Sequence, residues 1–438
     1  MGKELYGQHE DTFVCIAPQR SGKTTSLVVD WILSAPGAVL TTSTKPDTFY
    51  YTWYVRSRMR DGGVLVFDPK GITGWSEQVK WNPVGGCEDL DEAMERGKAL
   101  ATGGKIVQSG SGNLEFFTNM AASVIAAWLH AAAVREDGSM RDVLRWASDF
   151  EDPEPFELLN TSADAVSAGW PDQLRGLTQS KSDQTVGSLS MTISETLAPL
   201  RSPKVLDLLC PSAEDEQFDV YDYLRSRKTL YVLSKSGGGA IAPVISLFTD
   251  FVIRTAQEFA LEQPGHRLWP TLRCVLDEVT NIAPLPDIES KISDSGGRGI
   301  TLMLLAQSRA QMRRAWGEDV AETVLANATA EYYLSRIKEQ SLLKDLSERT
   351  TEHRAAQYSY SSGNQTGGAS HSVSTQWEHA WRAQDVAEIS RGTALLFYGG
   401  MPFMHVKLTP FWERSDVELI YEGMREYTRV TGLEAVSS

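Results

Sequence analysis

The sequence predicts an α/β fold built on a central parallel sheet, and three observations support this prediction. Short, nearly all-apolar runs at 12–17, 38–43 and 64–68 alternate with helical segments. A glycine-containing turn separates the first of these strands from the first helix. The chain of 438 residues is 42% hydrophobic, which is enough for a large core and two domains. We therefore expect a sheet whose two faces are both covered by helices.

The alternation of strands and helices stops after residue 87 and resumes near residue 217. Residues 88–216 have a helical pattern with long acidic loops, and their 22 acidic and 10 basic residues give a net charge of −12. The rest of the chain carries only −3 of the formal net charge of −15. We therefore expect a sheet domain in two parts, 1–87 and 217–438, interrupted by an inserted all-α domain, 88–216. The insertion is either a solvated helical cap or a docking surface for a basic protein partner.

The second part of the sheet domain supplies the remaining strands. They are expected at 229–234, 272–278, 301–308 and 330–335, to complete a five- or six-stranded sheet. Two further strands, at 394–398 and 403–408, would close the fold. Residues 355–376 are rich in Ser, Gly and Gln, a composition typical of a mobile loop or a weak hairpin.

Composition and charge exclude several function classes. The acidic balance argues against a stand-alone duplex-DNA binder, although a ring-shaped assembly could still present a local basic channel. The four cysteines lie far apart, without metal-ligand spacing, as expected for buried thiols in a reducing cytosol. The most apolar run, 120–134, has fifteen residues, fewer than the roughly 20 of a spanning helix. We expect it to form a buried core helix. Nothing before residue 12 resembles a signal peptide.

The stretch "APQRSGKTTS", residues 17–26, carries the first chemical signal. It has the end of the phosphate-loop signature G-x-x-x-x-G-K-[ST], but Ala17 replaces the first glycine. A methyl group is tolerated there if φ stays negative, and Pro18 fits that geometry. Lys23 would reach the β- and γ-phosphate oxygens, and the Thr24 hydroxyl would bind Mg²⁺. The expected nucleotide contacts are Gln19, Arg20, Ser21, Gly22, Lys23, Thr24 and Thr25.

Two later strand ends complete the expected site. "RCVLDE", 273–278, is an apolar strand ending in Asp277, which would hold Mg²⁺ through a water, and Glu278, which would polarise the attacking water. The alternative is an acidic strand end that caps the next helix. Gln307 ends another apolar strand, where its amide can contact the γ-phosphate. A guanine-specific N-K-x-D motif does not follow a late strand, and its nearest match, "TKPD" at 44–47, follows the second one. ATP with Mg²⁺ is therefore the expected cofactor.

Taken in order, these motifs resemble the coupling ATPases of type IV secretion and conjugation (TraG/TraD type), relatives of FtsK-like DNA pumps. The resemblance covers about residues 12–414. The "GRGI" and "PFWER" segments look most like coupling proteins of actinobacterial-type mobile elements. The supporting segments are "PQRSGKT", "PGAVLTTSTKPD", "VFDPKG…WNPV", "LDEVTNI", "GRGITLMLLAQS" and "RGTALLFYGGMPFMHVKLTPFWER".

The resemblance implies a RecA-like P-loop NTPase domain with an all-α insertion, assembled as a hexamer with ATP between subunits. Such proteins bring a DNA–relaxase substrate to a secretion channel and supply energy. Matching catalytic and metal-binding residues are Lys23, Thr24, Asp277, Glu278 and Gln307. Gly296 stands where the family's trans-acting arginine usually lies, which leaves Arg298 as the nearest candidate. Family members commonly begin with membrane helices, so we expect either that an anchor was removed or that a partner supplies it.

Three functions compete. The first is a coupling ATPase at the cytoplasmic face of the membrane. It would contact single- or double-stranded DNA through its channel, a relaxosome or secreted protein through the all-α domain, and membrane proteins of the secretion channel. The second is a cytosolic FtsK/HerA-like DNA translocase. The third is a docking adaptor that assembles on ATP but does little work.

Overall fold

The computed structural model describes residues 5–104, 114–180, 182–235, 241–362 and 369–433. Within them, eleven strands form a nine-stranded sheet and a separate two-stranded hairpin. The strands are β1 (Phe13–Ile16), β2 (Val39–Ser43), β3 (Gly62–Phe67), β4 (Arg227–Leu233), β5 (Leu272–Leu276), β6 (Ile300–Ala306), β7 (Ala330–Leu334), β8 (Glu352–Ser362), β9 (Ala369–His379), β10 (Thr393–Tyr398) and β11 (Met404–Lys407).

The large sheet has the order β11-β10-β7-β1-β6-β5-β2-β4-β3. Seven neighbouring strands, from β7 to β3, are parallel, while β10 and β11 join antiparallel at one edge. The predicted count of five or six strands was therefore too small. All seven expected parallel strands pair in one layer, and the two strands expected to close the fold extend the same layer through β7.

The helices begin with a π-helical turn at Thr24–Val28, directly after the phosphate loop. Those before and inside the expected insertion are α1 (Val29–Leu33), α2 (Asp47–Ser57), α3 (Leu90–Gly104), α4 (Leu114–Val134), α5 (Met140–Trp146), α6 (Glu154–Thr161), α7 (Ala163–Ser167), α8 (Trp170–Thr178), α9 (Asp183–Leu197) and α10 (Pro203–Leu209). Those after it are α11 (Val220–Arg225), α12 (Ala242–Glu262), α13 (Val279–Ile282), α14 (Ile288–Asp294), α15 (Arg309–Trp316), α16 (Glu318–Asn327), α17 (Gln340–Glu348), α18 (Ala383–Ala387) and α19 (Val417–Thr431).

The helical segment 88–216 shares its core with the sheet. One continuous cluster of buried apolar residues runs from the strands through α12 into α3, α4 and α9. Helix α3 lies so close to α12 that a Cβ on Gly103 would come within 2.5 Å of the Pro243 Cα. Arg254 of α12 also bonds to Glu92 of α3 at 2.8 Å. Tight backbone packing and ion pairs therefore join the insertion to the helix beneath it.

Helix α4 contains the apolar run singled out in the sequence. It has 21 residues, so the fifteen-residue count underestimated it. Among the described residues, Glu115–Val134 is the one helix long and apolar enough to cross a bilayer, and most of it is buried inside the molecule. His130 in this helix is buried, with its two ring nitrogens 2.8 Å from the Cys87 carbonyl oxygen and 2.9 Å from Ser162 Oγ. These contacts fit the expected core helix.

Of the two alternatives for residues 355–376, the structure has the hairpin. Strands β8 and β9 pair antiparallel from Glu352↔His379 to Ser362↔Ala369, and residues 363–368 lie outside the described part. The hairpin is held at its base, where Ser347 Oγ donates to the Trp381 carbonyl at 2.7 Å. It therefore connects α17 directly to α18.

The four cysteines are free thiols, as expected. Cys15, Cys87 and Cys274 are buried, and Cys210 is half-buried. Burial raises the pKa of all four thiols, which keeps them protonated near neutral pH.

Candidate nucleotide-binding site

The site lies where three central strands end. Strands β1, β6 and β5 are adjacent and parallel, with Ile16 opposite Ala306 and Leu276 opposite Leu304. Their carboxyl ends therefore meet at one edge of the sheet, as in other open α/β sheets that bind ligands. The phosphate loop follows β1, the acidic pair follows β5, and Gln307 follows β6. Among the predicted catalytic residues, only Arg298 lies elsewhere.

The phosphate loop explains how Ala17 replaces a glycine. Ala17 is fully buried, its N–H donates to the Ala306 carbonyl at 2.8 Å, and its φ is negative. It therefore still belongs to the strand ladder, where a methyl group causes no strain. The left-handed conformations come later in the loop, at Arg20 (φ 61°) and Gly22 (φ 91°). These turns shape a concave backbone of the kind that binds anions.

The loop has the features that a triphosphate requires. Ser21 Oγ is buried and has no hydrogen-bond partner among the described residues, so a bound phosphate oxygen could take that role. Thr25 Oγ1 instead donates to the Gly22 carbonyl at 3.1 Å, which fixes the turn into the helix. Thr24 starts the helical segment and is half-buried. The positive end of the helix dipole lies at the same place.

Lys23 bridges the loop to the acidic pair. Its Nζ lies 2.6 Å from Asp277 Oδ1 and 3.4 Å from Glu278 Oε1, and all three side chains are nearly buried. Burial alone would lower the pKa of Lys23, but the two carboxylates outweigh it and raise the pKa. The ammonium therefore stays charged, and a phosphate group would compete with two carboxylates for it.

The acidic pair does not cap the following helix. Glu278 occupies the N-cap position of α13, yet its side chain makes no capping hydrogen bond. Its backbone is left-handed (φ 53°), a strained conformation for a non-glycine residue that is common at functional sites. Asp277 is anchored through its carbonyl, which accepts a 3.0 Å hydrogen bond from Thr42 Oγ1 of β2. The helix-capping alternative therefore finds no support.

A magnesium ion would need the nucleotide to complete its ligands. No group of three or more His, Cys, Asp or Glu side chains suited to a metal occurs in the described ranges. Magnesium is commonly held by one or two protein oxygens together with substrate phosphates. Thr24 and Asp277 fit that requirement because both lie beside the phosphate loop.

Gln307 opens onto a cleft of about 810 Å³, a size typical of small-molecule sites. Gln19 of the phosphate loop lies on one wall. The opposite wall is the loop after β7, with Arg336 and Lys338, and the apolar side of α17. Arg336 and Lys338 are exposed and have no ion pair in the described structure. The cleft could therefore receive a polar, anionic ligand that extends from the phosphate loop.

Sequence reasoning missed Arg391 at this site. A Cβ built on Gly22 would lie 3.7 Å from Arg391 Nε, so the guanidinium stands over the phosphate loop. The Thr393 N–H and Oγ1 both donate to the Ser390 carbonyl, and Gly392 (φ 83°) completes this tight turn. Arg391 forms no hydrogen bond or ion pair with any residue that the structure describes. Its only sequence signal is an Arg-Gly turn before an edge strand.

Arg298 lies at the opposite edge of the sheet. It directly precedes Gly299 and β6, whose seven residues span about 23 Å. Arg298 Nε bonds to Asp294, and Nη1 donates to the Gln257 carbonyl at 3.1 Å. It therefore lies far from the phosphate loop of its own chain.

Steric crowding explains why residue 296 is a glycine. A Cβ at Gly296 would lie 2.2 Å from the Glu10 carbonyl oxygen, much closer than real Cβ atoms come. An arginine at the position usual for the family would require the N-terminal segment to move. This explains the departure from the family's pattern at residue 296.

Comparisons with known proteins agree with this geometry. The family described as the TraM recognition site of TraD and TraG matches residues 271–391, which include the acidic pair, Gln307 and Arg391. The match confirms the resemblance to TraG/TraD-type coupling proteins. No curated protein sequence matches the chain significantly.

Solved structures of the bacterial conjugative coupling protein TrwB have the same fold. The unbound form is 16% identical with a TM-score of 0.64, covering 92% of this chain and 85% of that one. TrwB with the GTP analogue GDPNP is 15% identical to this chain, with a TM-score of 0.65. TrwB with ADP and Mg²⁺ is 16% identical, with a TM-score of 0.62. Each alignment covers 92% of this chain and 86% of the TrwB chain. The predicted α/β fold, a mostly parallel sheet with helices, is therefore confirmed.

Proposed function

We propose that this TraG/TraD-type chain is an ATPase that recruits a DNA or nucleoprotein substrate to a type IV secretion or conjugation channel and drives its transfer. One observation carries the proposal. Lys23, Asp277, Glu278 and Gln307 converge at one sheet edge, within a fold and a family region characteristic of coupling proteins.

Each residue has a distinct task in the proposed hydrolysis. Bound Mg-ATP supplies a γ-phosphoryl group that water can attack. Lys23 and the backbone amides of the loop neutralise and orient the phosphate oxygens. Thr24 and Asp277 hold the metal, and Glu278 accepts the proton of the attacking water. Gln307, at the end of β6, contacts the γ-phosphate and relays its loss to α15.

The partners follow from the family region and from the insertion. The name of the family region supports an interaction of residues 271–391 with a relaxosome protein such as TraM. The acidic insertion, 88–216, offers a second surface for a relaxase or a secreted protein. We place the chain at the cytoplasmic face of the membrane, where it meets the proteins of the secretion channel, and we expect a hexameric ring.

The test of the proposed function is ATP turnover with and without single- and double-stranded DNA, across a range of protein concentrations. A ring with sites between subunits predicts turnover that rises more than proportionally with protein concentration and is stimulated by DNA. If turnover depends neither on DNA nor on protein concentration in this way, the docking-adaptor function is favoured. Binding to a purified relaxase or TraM-type protein separates a coupling protein from a cytosolic translocase, which needs no such partner.

Arg298 is the proposed trans-acting residue, and subunit mixing tests it. An arginine in a neighbour's site can accelerate phosphoryl transfer by roughly 10³–10⁵-fold. Arg298→Ala should therefore retain ATP affinity and assembly but lose most hydrolysis. Mixed with Glu278→Gln subunits, it should recover part of the activity, since some interfaces then combine both intact residues.

Arg314→Ala is the matched control, because Arg314 is exposed and has no ion pair in the described structure. Arg309 and Arg313 are less suited, since they pair with Asp345 and Glu322 at 2.9 Å. Full turnover of Arg298→Ala, or no recovery in mixtures shown to co-assemble, would assign the trans role to another residue.

A further inference from the structure

Three exposed lysines follow three adjacent strands at the same sheet edge as the phosphate loop. Lys45, Lys70 and Lys235 come two or three residues after the ends of β2, β3 and β4. The strands are neighbours, with Phe67 opposite Val232 and the Ser234 N–H donating to the Ser43 carbonyl at 3.1 Å. Strands lie about 4.8 Å apart, so the three strand ends span about 10 Å. We call these three residues the lysine ridge.

The backbone beneath the lysine ridge is fixed by local hydrogen bonds. The Lys45 N–H donates to Ser43 Oγ at 3.2 Å. Lys70 stands in a tight turn closed by the Gly71 N–H and the Asp68 carbonyl at 2.9 Å. The turn is braced because Asp68 Oδ2 accepts from both the N–H and the hydroxyl of Thr73 at 2.8 Å. The backbone at Lys45 and Lys70 is therefore held in place while both side chains are exposed.

The charges of the lysine ridge are not neutralised by the protein. None of the three ammonium groups has an ion pair or a hydrogen bond within the described residues. The carboxylates nearest along the chain are Asp47 and Asp68. Asp68 is buried and engaged with Thr73, and Asp47 is half-buried in the first turn of α2. An acidic protein thus exposes three positive charges together at one edge.

The lysine ridge is connected to the nucleotide site through β2. Thr42 donates to the carbonyl of Asp277, and the next residue, Ser43, accepts from the N–H of Lys45. Two hydrogen bonds and the backbone of β2 therefore connect Asp277 to the first lysine of the ridge.

We propose that the lysine ridge binds the phosphate backbone of the DNA that the motor moves, an inference that rests on the proposed function. Duplex DNA presents one phosphate per strand every 3.4 Å along its axis, so the distance of about 10 Å across the three strand ends covers about three phosphate steps. Contacts of this kind position the nucleic acid without reading its sequence. Through the hydrogen bond of Thr42, the affinity of the ridge for DNA would depend on which nucleotide is bound.

The test compares the wild-type chain with a variant carrying K45Q, K70Q and K235Q. Each lost phosphate contact lowers the slope of log affinity against log salt by about 0.9 for duplex and about 0.7 for single strands. For the ridge variant, the slope should therefore be smaller in magnitude by about 2–3 than for the wild type. DNA should also no longer stimulate its ATP turnover. Basal turnover and ATP affinity should stay unchanged, because none of the three lysines contacts the phosphate loop.

A second variant, with K204Q, K344Q and R425Q, removes the same total charge from exposed, unpaired positions on α10, α17 and α19. It should behave like the wild type. An unchanged salt slope in the ridge variant, or an equal loss in both variants, would overturn the proposal. DNA-independent turnover of the wild-type chain would instead contradict the proposed function, so the two failures are distinguishable.

Discussion

The helical insertion and the carboxyl edge of the sheet differ in how several of their cations are paired. In the insertion, Arg145 bonds to Asp152 at 2.8 Å, and Arg135 bonds to Asp142 at 2.6 Å. At the sheet edge, Arg391 and the lysine ridge have no described protein partner. The backbone differs as well, because the edge holds Arg20 and Glu278 in left-handed conformations.

The difference separates charges that support structure from charges that await a ligand. An exposed ion pair contributes at most about 1 kcal/mol, so the insertion's surface pairs are of small energetic consequence. Unpaired cations near a loop that is shaped to bind an anion contribute nothing to folding, but they can bind phosphate strongly. Changes at the edge should therefore affect turnover and ligand affinity, whereas changes in the paired regions should affect stability.

The largest effect on turnover is expected for Lys23→Ala. This change removes the ammonium group that reaches the β- and γ-phosphates and leaves Asp277 and Glu278 repelling them. We expect no measurable ATP hydrolysis and greatly weakened ATP binding, measured by steady-state turnover and calorimetric titration. Lys344→Ala, an exposed position on α17, is the control and should match the wild type. Normal turnover in Lys23→Ala would end the motor interpretation.

Glu278→Gln should come next. The amide keeps the size of the side chain but cannot accept the proton of the attacking water. General-base catalysis contributes roughly 10²–10⁴-fold, so turnover should fall by that factor while Mg-ATP still binds. Single-turnover measurements at saturating ATP isolate this step. Failure to bind Mg-ATP would instead give the acidic pair a structural role.

Arg391→Ala should have a moderate effect. A charge-assisted hydrogen bond is worth about 1.5–3 kcal/mol, so loss of the guanidinium over the phosphate loop should weaken ATP binding by roughly 10–100-fold. Arg391→Lys should recover part of the affinity, since it restores the charge without the planar fork. Equal affinity of the alanine variant and the wild type would show that Arg391 does not contact the nucleotide.

These residues also mark how far sequence reasoning reaches. Asp277 and Gln307 were predictable because each directly follows an apolar strand, and Lys23 because it stands in the phosphate-loop motif after β1. Parallel strands end at one edge, which brings the three together. Arg391 was not predictable, because its position over Gly22 depends on a turn that follows β8 and β9 and on the pairing of β10 with β7. The segments of all nine strands were predicted; the error lay in how many of them pair in one sheet, which depends on tertiary contacts rather than on periodicity.

The smallest effect on turnover is expected at Arg254. A variant there tests whether paired charges affect stability rather than nucleotide binding. Arg254 is nearly buried and bonds to Glu92 of α3 at 2.8 Å and to Asp250 of α12 at 3.0 Å. Removing one partner of a buried ion pair costs about 3–5 kcal/mol because the remaining charge stays buried. We expect Arg254→Met to lower the free energy of unfolding, measured in urea, by about 3 kcal/mol. This is the low end of the range because Lys291 still lies 2.9 Å from Asp250.

The matched variant is Arg145→Met, which breaks exposed pairs within the insertion and should cost at most about 1 kcal/mol. Both proteins should keep the ATP affinity of the wild type while folded, because neither arginine approaches the phosphate loop. If Arg254→Met is as stable as Arg145→Met, the α3–α12 ion pairs do not anchor the insertion, and packing at Gly103 must hold it alone. If Arg254→Met instead lowers ATP affinity, the paired charges reach the nucleotide site. The division between structural and ligand-binding charges would then fail.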